Sequence, residues 1–153
     1  TTLAEAYLSA GDLEAAARAI APELGHREAP SGALRVAASI YLALGDENEL
    51  RAVAARLRGQ TRGKAKALAE VELFLGSLYE ADGRHAHALK AYEASNRALE
   101  SRKAMVAIAR VAEAMGNRER ALLTYKRLCR ADGDEGAACA SAEALQKPAQ
   151  IEP

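Results

Sequence analysis

Apolar residues recur three and four positions apart through most of the chain, and glycines interrupt the pattern at similar intervals. Leu34, Ala37, Ala38, Ile40 and Tyr41 form one such stripe and Leu50, Val53, Ala54 and Leu57 the next. Residues at that spacing share one face of a helix. The pattern predicts the second half of a helix over Leu3 to Ala10, then helices over Leu13 to about Glu23, Gly32 to Leu44 and Glu47 to Leu57. Further helices are expected over Lys64 to Ala81, Arg84 to Leu99, Arg102 to Met115 and Arg118 to Arg130, with a last one ending at Lys147. Asp12, Asp46, Ser31 and Ser101 are placed to cap helix starts, since their side chains accept hydrogen bonds from the open N–H groups there. Asp134 and Glu135 suit the first turn of the last helix by charge. Gly25 is expected to end the second helix, which Pro22 shortens.

The breaks are regular. Tyr7 precedes Gly11-Asp12, Tyr41 precedes Gly45-Asp46 and Tyr79 precedes Gly83, each by the same step, while Ala112 stands in that place before Gly116-Asn117. The glycines at 11, 45, 83 and 116 are spaced by 34, 38 and 33 residues. Behind each comes a slot holding Ala16, Leu50, Ala88 or Ala121, then one holding Ile20, Ala54, Tyr92 or Tyr125. The four extra residues of the second interval must enter near Gly59 and Gly63, as a longer loop or an extra helical turn before Leu68.

The fullest copy, LGSLYEADGRHAHALKAY over Leu75–Tyr92, resembles the tetratricopeptide repeat (TPR) family, with its L-G-x-x-Y and later A-x-x-x-F/Y at a period near 34. The resemblance covers Thr1 to Asp132. It implies an all-α, right-handed α-solenoid of about four helical hairpins, at about 1–30, 31–62, 63–100 and 101–133. A capping helix over 134–147 would shield the last hairpin, and 148–153 would form a flexible tail. Because Thr1-Thr2-Leu3 starts inside a repeat, the chain reads as an excised piece with apolar surface at that end.

Composition narrows the function classes. Half the residues are apolar but only 4% are aromatic, so Ala, Leu and Val must build the core. Lys and Arg number 21 against 21 Asp and Glu, which gives no electrostatic reason to expect nucleic acid or an anionic membrane. The basic strip of Arg56, Arg58, Arg62, Lys64 and Lys66 reads as a solvated connector. No apolar run is long enough to span a bilayer, and no leader pattern is visible, although a missing leader proves little in an excised piece; the cytoplasm is favoured unless Cys129 and Cys139 form a disulfide. The Ala- and Arg-rich composition suggests a bacterial source.

Catalytic and metal chemistry find little footing. His85 and His87 are two apart and diverge on a helix, and His26 is remote, so no metal or other cofactor is expected. Cys129 and Cys139 have no nearby His in sequence, and no Gly-rich phosphate loop exists. The tyrosines fill repeat slots, with hydroxyls reaching the hairpin edges.

The resemblance implies an interaction module rather than an enzyme, with the leading helices lining a groove for a partner's peptide or helix. The slots it assigns are Arg35, Ser39 and Leu42, then Leu73, Phe74, Ser77 and Glu80, then Val106, Arg110 and Glu113. Leu42, Leu73, Phe74 and Val106 would anchor apolar groups, and Arg35 and Arg110 would pin acidic ones. Phe74 fits either groove or core. Ser39, Ser77 and Arg110 stand where one branch of the family has clamp asparagines, so a carboxylate clamp is not expected. The family's packing also sets Cys129 against Cys139, as a disulfide of an oxidising, exported compartment or as two small buried residues. Self-association through the Leu3, Tyr7 and Leu8 end, and a regulatory tail of a larger enzyme, are the rival readings.

Overall fold

A computed structural model describes residues 1–133 and 136–147 and is all-α. The described helices are α1 (Thr2–Ser9), α2 (Leu13–Leu24), α3 (Ser31–Leu44), α4 (Glu47–Gly59), α5 (Ala65–Ala81), α6 (His85–Ala98), α7 (Arg102–Ala114), α8 (Arg118–Ala131) and α9 (Ala137–Gln146). They fall into two compact units, Thr1–Val71 and the residues from Glu72 onward, with α5 crossing the boundary. In the first unit α1 packs on α2, α2 on α3 and α3 on α4. In the second, α6 packs on α7, α7 on α8 and α8 on α9. The expected capping segment and tail at Asp134, Glu135 and 148–153 lie outside the described residues.

One turn recurs at all four glycines. The N–H of the residue after each glycine bonds back to the carbonyl five positions earlier: Asp12 to Tyr7 at 3.0 Å, Asp46 to Tyr41 at 2.9 Å, Arg84 to Tyr79 at 2.9 Å and Asn117 to Ala112 at 2.9 Å. The glycines sit at φ of 72 to 80°, left-handed backbone that a side chain would strain. The following residue then caps the next helix. Asp12 Oδ1 accepts from the Ala15 N–H at 3.0 Å, Asp46 Oδ1 from Glu49 at 3.1 Å and Asn117 Oδ1 from Arg120 at 3.1 Å. Arg84 has no such acceptor and pairs its guanidinium with Asp82 at 2.6 Å instead.

Some boundaries differ from the sequence reading. Ser31 is the first helical residue of α3 and Pro30 precedes it as the cap, without a side-chain bond. Proline at that point costs nothing, because no helical hydrogen bond is taken from it. The α2 helix runs two residues past Pro22, and Gly25 after it is right-handed, so its glycine freedom is unused. The four extra residues of the long interval appear as added helix: α5 has 17 residues where α3 has 14 and α7 has 13.

Each unit has its own core. Ile20, Leu34, Ile40, Leu50 and Leu57 are fully buried in the first, and Leu75, Val111 and Leu128 in the second. Each such side chain contributes about 1.5–3 kcal/mol. Arg56 of the basic strip is structural: Nη1 donates to the Leu24 carbonyl at 2.8 Å and Nη2 to His26 at 2.7 Å. Its fork thus satisfies backbone acceptors at the end of α2 while Gln60 Nε2 holds the Ala29 carbonyl at 2.7 Å. In the second unit Cys129 and Cys139 are bonded as a disulfide between α8 and α9, and Arg118 donates to the Leu145 carbonyl at 2.7 Å and to that of Lys147.

Candidate functional site

In the first unit the assigned face lies on α3. Arg35 and Ser39 are half-buried, and Ser39 Oγ donates to the Arg35 carbonyl at 3.3 Å. Leu42 is only 6% exposed, which corrects its assignment as an anchor: the core takes it. Leu42 lies three before its glycine on α3, which packs on α4, and the position nine after that glycine on α4 is the buried Ala54.

In the second unit the same register position carries a carboxylate, because the closing slot carries a tyrosine. Tyr92 donates its hydroxyl to Glu80 Oε2 at 2.7 Å, and Tyr125 donates to Glu113 Oε2 at 3.2 Å. Arg110 on α7 then reaches across to α5 and grips Glu80 with both arms, Nε to Oε1 and Nη2 to Oε2, each at 2.8 Å. Such a two-pronged, charge-assisted pair is stronger and more directional than a single contact. The Arg110 hydrogen bonds hold the Glu80 carboxyl below its usual range and raise the guanidinium further. Burial, followed by the Glu80 contact, pushes the Tyr92 hydroxyl well above the usual phenol range. Burial, followed by Glu113, also raises the Tyr125 hydroxyl. Arg110 is therefore not the open cation the sequence suggested but half of a neutral pair.

The apolar positions divide. Leu73 packs on the cluster of Ala88, Tyr92, Ala107, Ile108 and Val111, and Val106 on that of Met105, Leu128 and Ala138. Both are neighbours of the core. Phe74 is half-buried, and beside it Ser77 is exposed with its Oγ on the Phe74 carbonyl at 2.8 Å. The accessible face on α5 and α7 thus consists of Phe74, Ser77, the Glu80–Arg110 pair and Glu113.

The histidines do not converge. The His87 ring lies 5.3 Å from that of Tyr79, and the His85 Nδ1 is buried without a partner among the described residues. No group of three His, Cys, Asp or Glu is arranged around a common point among those residues, and no described helix is long and apolar enough to cross a membrane. One feature was missed from sequence: Leu123 on α8 is 70% exposed beside a cleft. Its position among Arg120, Lys126 and Arg127 hid it in a charged stretch.

Comparison with known proteins adds one finding. Residues 104–138, which span α7, α8 and the start of α9, match the family model of the tetratricopeptide repeat. A search of curated proteins gave no match. The matched segment is the fourth hairpin, whereas the signature residues are fullest in the third.

Proposed function

We propose that this chain, which carries a tetratricopeptide repeat over residues 104–138, is a non-catalytic protein–protein interaction module. Repeats of this type serve protein interaction in general. The finer reading is that the face of α5 and α7 receives a peptide or helix of a partner. The observation that carries it is the Glu80–Arg110 pair. It ties two leading helices together at the surface and leaves Phe74 and Ser77 beside a pre-organised polar patch. A rigid site loses less entropy when it binds. Arg35 and Ser39 offer a comparable but smaller face on α3.

The test is a pull-down from source lysate with wild type against Phe74→Ala/Ser77→Arg, after circular dichroism shows equal helicity. Ser77 is exposed, so the arginine obstructs the face without entering the core, whereas changing Arg110 would strand Glu80. A partner retained by wild type and lost by the variant supports the reading; equal retention sinks it. Self-association is the second reading, favoured by Leu3 and Tyr7, which are 59% and 37% exposed on one face of α1. It requires a sedimentation coefficient that rises with concentration in wild type and not in Leu3→Asp.

A further inference from the structure

A second surface shares α7 with the first but is otherwise built from α6 and α8. In the second unit, residues of α6, α7 and α8 line a cleft of about 730 Å³. Its apolar part is Met105 and Ile108, at 6% and 5% exposure, together with the far more open Leu123. An exposed leucine alone carries no meaning. This one differs because it stands beside a concavity with apolar side chains in its lining.

The rest of the lining is biased in charge. It holds Arg120, Lys126, Arg127 and Arg130 against one carboxylate, Glu119. Arg120 pairs with Glu93 at 2.6 Å and Arg127 with Glu100 at 2.8 Å. Four cations less Glu119, Glu93 and Glu100 still leave a local charge of +1, in a chain whose total is zero. Lys126 and Arg130 form no ion pair among the described residues. The Arg127–Glu100 pair is also open to exchange, since its side chains are 60% and 62% exposed and solvent screens it. A ligand carboxylate could take the place of Glu100 at little cost.

We propose that this cleft docks an acidic segment of a partner protein. One aliphatic residue of that segment would seat on Leu123, Met105 and Ile108, and its carboxylates would meet Lys126, Arg127 and Arg130. A polypeptide fits better than a nucleic acid. The lining has no aromatic ring on which a base could stack, while the leucine, methionine and isoleucine favour an aliphatic side chain. The surface uses α6, α7 and α8 and not the Phe74–Ser77 face, so it stands or falls apart from the function proposed above.

The test uses a random-peptide display library panned on the full chain, followed by fluorescence anisotropy with a labelled peptide of the enriched sequence. Enrichment of Asp/Glu clusters flanking Leu, Ile or Val is expected, with affinity that falls as salt rises. Lys126→Glu/Arg130→Glu should weaken that peptide at least about tenfold, and Leu123→Asp should weaken it comparably. Ser77→Arg should leave it unchanged. All these positions are at least partly exposed, and circular dichroism verifies that each variant is folded. Three results would overturn the proposal: no acidic enrichment, loss of binding in Ser77→Arg but not in the charge reversal, or tighter binding of labelled oligouridylate RNA at the same cations.

Discussion

Gly76 lies inside α5, where helix propensity alone says that alanine is better by about 1 kcal/mol. Its surroundings say the opposite. A Cβ there would come within 2.6 Å of both Cδ1 and Cε1 of Tyr92 and within 3.0 Å of Cγ. Carbon atoms rest about 3.5–4 Å apart, so helix and ring must separate by roughly 1 Å. The ring cannot swing into solvent, being 3% exposed and packed with Ala88, Ala107, Ile108 and Val111. Its hydroxyl is fixed on Glu80, which Arg110 holds in turn. Overpacking costs about 1–3 kcal/mol, and a strained or lost hydrogen bond to a charged acceptor adds up to about 1.5–3 kcal/mol.

Taking about 2 kcal/mol for overpacking and about 1 kcal/mol for the strained hydrogen bond, less about 1 kcal/mol of propensity gain, Gly76→Ala should destabilise the fold by about 2 kcal/mol. Urea unfolding followed by far-ultraviolet circular dichroism measures it. Gly32→Ala, in the first turn of α3 with nothing within 4 Å of its Cβ, is the control and should be neutral or stabilising by a few tenths of a kcal/mol. In a Tyr92→Leu background the penalty at Gly76 should shrink, giving a coupling of about 1 kcal/mol or more. A Gly76→Ala protein as stable as wild type would refute the account of this hairpin as a glycine fitted to a tyrosine.

Three further outcomes follow from the same contacts. Arg56→Ala should cost about 1–2 kcal/mol by orphaning the Leu24 and His26 carbonyls, and hydrogen exchange should quicken in the loop between α2 and α3. Reducing the Cys129–Cys139 bond, whose partners are 10 residues apart, should remove about 2.7 kcal/mol by loop entropy, seen as a lower melting temperature in reductant; no shift would contradict it. Glu80 has a depressed folded pKa, chiefly through Arg110, so its contribution is complete above about pH 5 and is lost as pH falls through that lowered value. Glu80→Gln should therefore melt lower than wild type at neutral pH, and the gap should close in acid.

The hairpins were legible because their signal is local. A glycine in left-handed backbone followed by Asp or Asn is a complete instruction for stopping one helix and capping the next, and it stands in the sequence at Gly11, Gly45 and Gly116. Gly83 lacks the capping acid, yet its turn forms with the same backbone bond, Arg84 to Tyr79. The glycine and the packing of Tyr92 suffice there. The groove was less legible because exposure is decided between helices. Arg110 and Glu80 are 30 residues apart, and nothing near either one states that they pair. Leu42 and Glu80 occupy one register and meet different fates, buried aliphatic and half-buried, paired carboxylate. The missing information was nevertheless in the chain, one slot away. The position nine after each glycine is Ile20 or Ala54 where the position three before it is Leu8 or Leu42, and Tyr92 or Tyr125 where that position is Glu80 or Glu113. A tyrosine hydroxyl arriving at the hairpin edge needs an acceptor, and an aliphatic side chain there would leave it unmatched. Two slots read together therefore separate the hairpins that carry an aliphatic pair from those closed by a tyrosine–carboxylate bond, and only the latter offer Arg110 an anion to hold.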